Sequence, residues 1–291
     1  MTNTNIKSHI MNNIIVGIDF SECSLNALRH AAQIAGKADC ELIMVWVNRV
    51  ANDNDIIRND QALIEYGAKQ RFSNLVAQYE PCIGEGKVKY LIRKGRVYEE
   101  MMNVCKEYDP MLLVIGSHGI SGFQEKFIGS NAFRMALLLD VPTIIIREGI
   151  NISHTIENIV MPIDKTIETR QKMPLTVTLA KYFDATIHVV GVHTSDNENS
   201  RQVVNGYVNQ VVKFIKSNGA KYIIDEVHNN NEADGVIEYA KKNNANLISI
   251  MDEQEKTAVN IFAGSFAQQI VNNSPYPVLI YHAKDLYFHR S

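Results

Sequence analysis

The sequence lacks any apolar run of the roughly 20 residues that a membrane-spanning helix needs. Its apolar stretches, such as Leu112 to Ile115 and Thr143 to Ile146, reach only a fraction of that length. It also lacks a dominant charge: 29 Lys and Arg stand against 32 Asp and Glu, for a formal net charge of -3. No global positive field is available to hold a nucleic-acid backbone or an anionic membrane, so any anion must be bound locally. Cysteine is scarce, and Cys23, Cys40, Cys82 and Cys105 form no C-x-x-C pair. A zinc ribbon and a redox motif are thereby excluded, and buried free thiols are expected. With 46% hydrophobic residues, 16 Gly and 7 Pro in 291 positions, neither disorder nor collagen fits. Near the N-terminus the apolar run Ile14 to Ile18 contains Gly17 and is too short for a secretory h-region. A cytoplasmic location, with no nucleic acid and no membrane as partner, is the expectation.

What the sequence does contain is a repeat. Asn13-Ile-Ile-Val-Gly-Ile-Asp19 aligns with Asn158-Ile-Val-Met-Pro-Ile-Asp164, and Glu41 to Val47 aligns with Thr186 to Val192, both at an offset of 145. Val141-Pro-Thr-Ile-Ile-Ile146 aligns with Tyr276-Pro-Val-Leu-Ile-Tyr281 at an offset of 135, so the second copy is ten residues shorter. The loss lies between Asn48 and Val88, around the polar stretch Ala51 to Asp60, and a surface loop is expected to absorb it. The repeat divides the chain into 1–150 and 151–291.

Short β-rich runs alternate with longer amphipathic ones in each copy, the pattern of β-α-β units on a parallel sheet. Strands are expected near Ile14 to Asp19, Leu42 to Val47, Val88 to Arg93, Leu112 to Gly116 and Thr143 to Arg147. Their continuous apolar character suits strands covered on both faces. Leu25, Leu28, Ala32 and Ala35 recur at helical spacing behind a Ser21 cap, and Met101, Val104 and Tyr108 do so before Asp109-Pro110. Five strands and four helices per half are expected.

The segment Ile115-Gly116-Ser117-His118-Gly119 follows an apolar strand, and Gly129-Ser130-Asn131 opens the helix that carries Phe133 and Leu137. The pattern is G-x2-G-x9-G-S. Glycines at a strand's carboxyl end let backbone N–H groups approach a phosphate, and a helix N-terminus favours an anion. Ser117, Ser130 and Asn131 can donate to phosphate oxygens or, through their own oxygens, help hold a hard divalent cation. No Ser-His-Asp or Cys-His arrangement surrounds His118, and no G-x4-G-K-[ST] or H-E-x-x-H signature occurs, so no catalytic residue is assigned.

Val16-Gly-Ile-Asp19-Phe-Ser21, Ile115-Gly-Ser-His-Gly119, Gly129-Ser130 and Val141-Pro-Thr-Ile-Ile-Ile146 together resemble the ATP-binding branch of the universal stress protein family. The resemblance implies two α/β domains, each a five-stranded parallel sheet of order 3-2-1-4-5 with helices on both faces. It places Asp19 and Val47 on adenine, Gly116, His118 and Gly119 by the ribose and α-phosphate, and Gly129 and Ser130 on the outer phosphates. It further implies ATP with Mg²⁺ or Mn²⁺, and a regulatory role in the stress response. Such domains pair through their last strands, so the two halves would form an intramolecular pseudo-dimer, with a homodimer as a further step. A hydroxyl residue common in the family two places after the serine is Ala132 here.

The second half keeps Gly264-Ser265 but has Met251 and Gln254 where the first has Gly116 and Gly119. Met251-Asp-Glu-Gln-Glu255 brings carboxylates where a phosphate would lie. A degenerate second half is expected, either a structural partner or a domain that binds something else in the equivalent cleft. The rival readings are a nucleotide-independent scaffold, a carrier of small apolar ligands, and a slow ATP hydrolase.

Overall fold

A computed structural model describes residues 13–49, 57–117, 130–147, 155–194, 197–252 and 265–282. The first half runs β1 (Asn13–Gly17), α1 (Glu22–Ala38), β2 (Glu41–Asn48), α2 (Ile57–Ile83), β3 (Val88–Lys94), α3 (Val97–Tyr108), β4 (Leu112–Gly116), α4 (Ser130–Leu138) and β5 (Thr143–Ile146). The second runs β6 (Asn158–Ile163), a 3-10 turn (Ile167–Arg170), α5 (Met173–Phe183), β7 (Thr186–His193), α6 (Glu198–Ser217), β8 (Lys221–His228), α7 (Glu232–Lys242), β9 (Leu247–Asp252), α8 (Phe266–Asn273) and β10 (Val278–His282).

The ten strands form one sheet of order β3-β2-β1-β4-β5-β10-β9-β6-β7-β8. Within each half the strands are parallel and the order is the same, 3-2-1-4-5. At the centre β5 and β10 pair antiparallel, with Thr143 opposite Ile280, Ile144 opposite Leu279 and Ile145 opposite Val278. An antiparallel seam follows from a duplication with local twofold symmetry, since two copies of one strand related by such an axis must run in opposite directions.

Period-2 alternation on buried strands sends side chains to both faces. Val16, Leu42, Val114, Ile144 and Leu279 join one core, beneath α1, α2, α5 and α6. Ile15, Ile43, Leu113, Ile145 and Ile280 join the other, beneath α3, α4, α7 and α8. Each core contains residues from both halves, so hydrophobic burial as well as strand pairing ties the halves together.

Ser21 caps α1 as its position predicts: its Oγ accepts from the Ser24 N–H at 3.2 Å. Helix α3 ends at Tyr108, where Asp109 turns left-handed before Pro110. Two expectations change. The second copy's shortening is largely helical, because α2 is 27 residues long and α6 only 20. Of the polar stretch Ala51 to Asp60, residues 57–60 begin α2 and residues 51–56 lie outside the described residues. Cys23, Cys40 and Cys105 are buried, whereas Cys82 is exposed on the last turn of α2.

Removing residues after 151 strips β5 of its partner, and an apolar edge strand left in water seeks another. The fragment 1–151 is expected to self-associate through β5 across a hundredfold dilution series in sedimentation, while the full chain changes far less. A fragment that is soluble and monomeric at every concentration would show that the seam does not drive association.

Candidate functional site

The site begins where β1 and β4 lie side by side while their connections leave in opposite directions, which in an open parallel sheet opens a crevice at the carboxyl ends. Val16 pairs with Met44 on one side and Val114 on the other, so Asp19, Val47 and Gly116 finish adjacent strands on one edge. Asp19 is held there by its neighbours. Its Oδ1 accepts from the Ser21 N–H at 3.0 Å and from the Ser21 hydroxyl at 2.6 Å, while its own N–H donates to Ser24 Oγ at 3.3 Å. Val47 is buried at the end of β2. Phe20 adopts a left-handed backbone, φ 64°, uncommon for a bulky residue. Its ring is fixed between Phe72 at 5.0 Å and Trp46 at 6.2 Å, with the Arg71 guanidinium 5.2 Å from its centroid.

Gly116 is a position of close approach. A Cβ there would stand 2.8 Å from Cys23 Sγ and 3.1 Å from the Cys23 carbonyl carbon, so the first turn of α1 lies almost on β4. Ser117 continues this packing: its N–H donates to the Ile146 carbonyl at 2.7 Å, and its fully buried Oγ lies 3.9 Å from Cys23 Sγ. The structure thus gathers Asp19, Val47, Gly116 and Ser117, with Ser117 turned into the β4–α1 contact. Ser130 and Asn131 open α4. His118, Gly119 and Gly129 lie outside the described residues, as does Gln254 of the second copy.

The second half repeats the frame and changes its contents. Asp164 Oδ1 accepts from the Thr166 N–H at 2.7 Å and from the Thr166 hydroxyl, and the Asp164 N–H donates to Thr169 Oγ1 at 3.3 Å. Asp19, Ser21 and Ser24 therefore have counterparts in Asp164, Thr166 and Thr169, each at an offset of 145. That D-x-[ST]-x-x-[ST] repeat was legible in the sequence as the means of fixing the loop after the first strand. A 3-10 turn takes the place of the first turn of α1, and buried Met251 takes the place of Gly116. Behind it lies Lys172, which is fully buried where the first half has Ala27. Its Nζ donates to Thr169 Oγ1 at 3.2 Å. Burial pulls the lysine down to about 8, against the opposing attraction of Asp164.

A model of the universal stress protein family matches residues 11–147 and again 155–282. The chain belongs to the universal stress protein family. Universal stress protein YxiE of Bacillus subtilis is 29% identical over 154 residues, covering 47% of this chain and all of that protein. Among solved structures, a universal stress protein from Archaeoglobus fulgidus superimposes with a TM-score of 0.75 at 15% identity, covering 94% of this chain and 97% of that one. A universal stress protein from Pseudomonas aeruginosa gives 0.61 at 14% identity, covering 94% and 93%. The family model and the two solved structures extend across both halves, so the duplicated α/β architecture is that of a tandem member of the family. Among the described residues, no helix is long and apolar enough to cross a membrane.

The buried lysine yields a pH prediction. Below about pH 8 Lys172 is protonated both folded and unfolded, and the cost of burying its charge is felt in full. Between pH 8 and 10.5 the unfolded chain holds a proton that the folded one has released, so stability rises with pH. For this fully buried group the shift from 10.5 to about 8 corresponds to about 3 kcal/mol. Lys172→Met is expected to be the more stable protein at pH 7, by an amount that shrinks towards pH 10. Chemical denaturation of both proteins across that range is the check, and a pH-independent difference would mean the ammonium is not desolvated.

Proposed function

We propose that the chain is a regulatory stress-response protein of the cytoplasm that binds one ATP, in its first half, and signals through occupancy and not turnover. The supporting observation is the contrast at one structural position. Gly116 ends β4 beside Asp19 and Val47, whereas buried Met251 holds the equivalent position in β9.

The residues of the first half suit an adenine nucleotide in both chemistry and order. A fixed Asp19 carboxylate is an acceptor suited to the adenine amino group, and Val47 offers an apolar contact at the end of β2. From Gly116 the chain leads through His118 and Gly119 to Gly129, and α4 begins at Ser130, so its first free N–H groups favour the phosphates. His118 is assigned a positioning role by the ribose. Bound Mg²⁺ or Mn²⁺ would neutralise phosphate charge, with the hydroxyl of Ser130 and the amide oxygen of Asn131 as the oxygen donors nearest to it in sequence.

The second half acts as the structural partner. The β5–β10 seam makes the two halves an intramolecular pseudo-dimer, and because that seam consumes both last strands, a homodimer of the full chain must use other surfaces.

Calorimetric titration with ATP and Mg²⁺ is expected to give one nucleotide per chain. Gly129→Val should weaken binding at least tenfold, about 1.4 kcal/mol, with an unchanged circular dichroism spectrum, because a branched Cβ pushes backbone donors away from phosphate oxygens. A stoichiometry of two would mean that Met251 does not close the second site. No binding would favour a nucleotide-independent scaffold or a carrier of small apolar ligands, and turnover above about 1 s⁻¹ would make the protein an ATP hydrolase.

A further inference from the structure

The two halves also differ at the ends of their second and third strands. In the first half Asn48 pairs with Lys94 and Trp46 with Ile92. In the second, His193 pairs with His228 and Gly191 with Glu226. Positions two apart on a strand share a face, so His193, His228 and Glu226 stand together on one side of the sheet. The two imidazoles stack across the strands with centroids 4.9 Å apart and planes at 19°. Glu226 Oε2 lies 3.5 Å from His228 Nε2 and 3.9 Å from His193 Nε2, and one donor atom from each of the three residues falls within 4.8 Å of the others.

Two independent features make this more than a surface ion cluster. The His193 side chain is only 1% exposed, yet its Nε2 has no hydrogen-bond partner. A buried nitrogen left unpaired costs free energy that a strand end facing water could easily have avoided. Gly191 is the second feature: a Cβ there would stand 3.3 Å from His193 Nε2, 3.4 Å from Val204 Cγ1 and 3.7 Å from Glu226 Cγ, so its absence keeps His193 Nε2 uncrowded on the side of Glu226. The first half fills the same position with the Trp46 indole.

We propose that His193, Glu226 and His228 form a binding site for a divalent transition-metal ion, with zinc as the expected occupant, clamping β7 to β8. Two imidazoles and one carboxylate, with a fourth position left for water or a ligand, form a donor set that zinc accepts. Tetrahedral bonds of about 2.0–2.1 Å require donor atoms roughly 3.3 Å apart. The Glu226 oxygen already lies 3.5 and 3.9 Å from the two imidazole nitrogens, and the exposed His228 ring has to turn out of the stack so that both lone pairs, which lie in the ring planes, meet at the ion. Imidazole donors select against Mg²⁺ and Ca²⁺. Burial disfavours the charged form of His193, against the pull of Glu226, and a metal binds the neutral form. The Glu226 carboxylate offsets the repulsion that Arg201 would offer a cation. His228 and Glu226 are exposed, which gives the ion a way in. His193 also lines a small cleft with Lys165, Thr194, Ser200 and Glu232, at the edge where the first half is assigned its nucleotide.

The test uses the full chain without an affinity tag, stripped by a chelator and kept free of nucleotide. Zinc is titrated against a chromophoric zinc indicator, and Co²⁺ is added in parallel as a spectroscopic probe. The expected result is one zinc per chain, with affinity reduced at least tenfold in both His228→Ala and Glu226→Gln, and visible Co²⁺ bands that these variants lose. Both substituted side chains are exposed, so folding should survive, and circular dichroism verifies it. No zinc uptake within the indicator's range overturns the proposal. Wild-type affinity in either variant removes that residue and, with it, the three-donor site.

Discussion

The antiparallel register of β5 against β10 is the constraint on which the rest of the molecule depends. It turns two parallel five-stranded sheets into one ten-stranded sheet and makes each hydrophobic core continuous from one half to the other. It also fixes which strands remain as edges. β3 and β8 lie farthest from the seam, and in β8 the side chains of Ile223 and Ile224 are about half exposed. A metal clamp between β7 and β8 would act where a parallel sheet has the fewest neighbours to hold its last strand.

Duplication gives each half the same carboxyl edge, and the chemistry of the two edges has diverged within one backbone plan. The shared part is the hydroxyl-and-aspartate knot after the first strand, Asp19 with Ser21 and Ser24, and Asp164 with Thr166 and Thr169. The differing parts are single residues whose size or charge decides what can enter: Gly116 against Met251, Trp46 against Gly191, Asn48 against His193, Ala27 against Lys172. A glycine moves from the fourth strand of one half to the second strand of the other, admitting the first turn of α1 in one case and the His193 ring in the other. On the proposed reading, the first half takes an anion held by backbone donors and the second a cation held by side chains.

The repeat and the strands were legible because they rest on periodic apolar runs, and such runs survive duplication; the pairing of the last strands was implied only by the family resemblance. Ser21 as a cap and Asp109-Pro110 as a helix stop were legible for local steric reasons. Length α2 was not, since a half-exposed helix and a polar loop draw on the same residues. Ser117 illustrates a deeper limit. Its place in a glycine-rich loop suggested a phosphate donor, but its burial depends on Cys23, which is 94 residues away in the chain and adjacent only once α1 packs on β4. The His193, Glu226 and His228 cluster escaped for the same reason: Glu226 and His228 are two residues apart, but His193 joins them only through the register of a parallel pair.

On the proposed reading, the two halves have divided their labour along one shared edge. Hydrogen exchange of the full chain, measured with ATP and Mg²⁺ and separately with zinc, tests this most directly, because it reads both edges in one experiment. ATP is expected to slow exchange around Ile18 to Ser24, at the end of β4 and in the first turn of α4, leaving β7 and β8 unchanged. Zinc is expected to slow exchange at the ends of β7 and β8 alone. Protection by ATP spread equally over the β1–α1 and β6–α5 connections would contradict the account, since it would mean that both halves bind the same ligand.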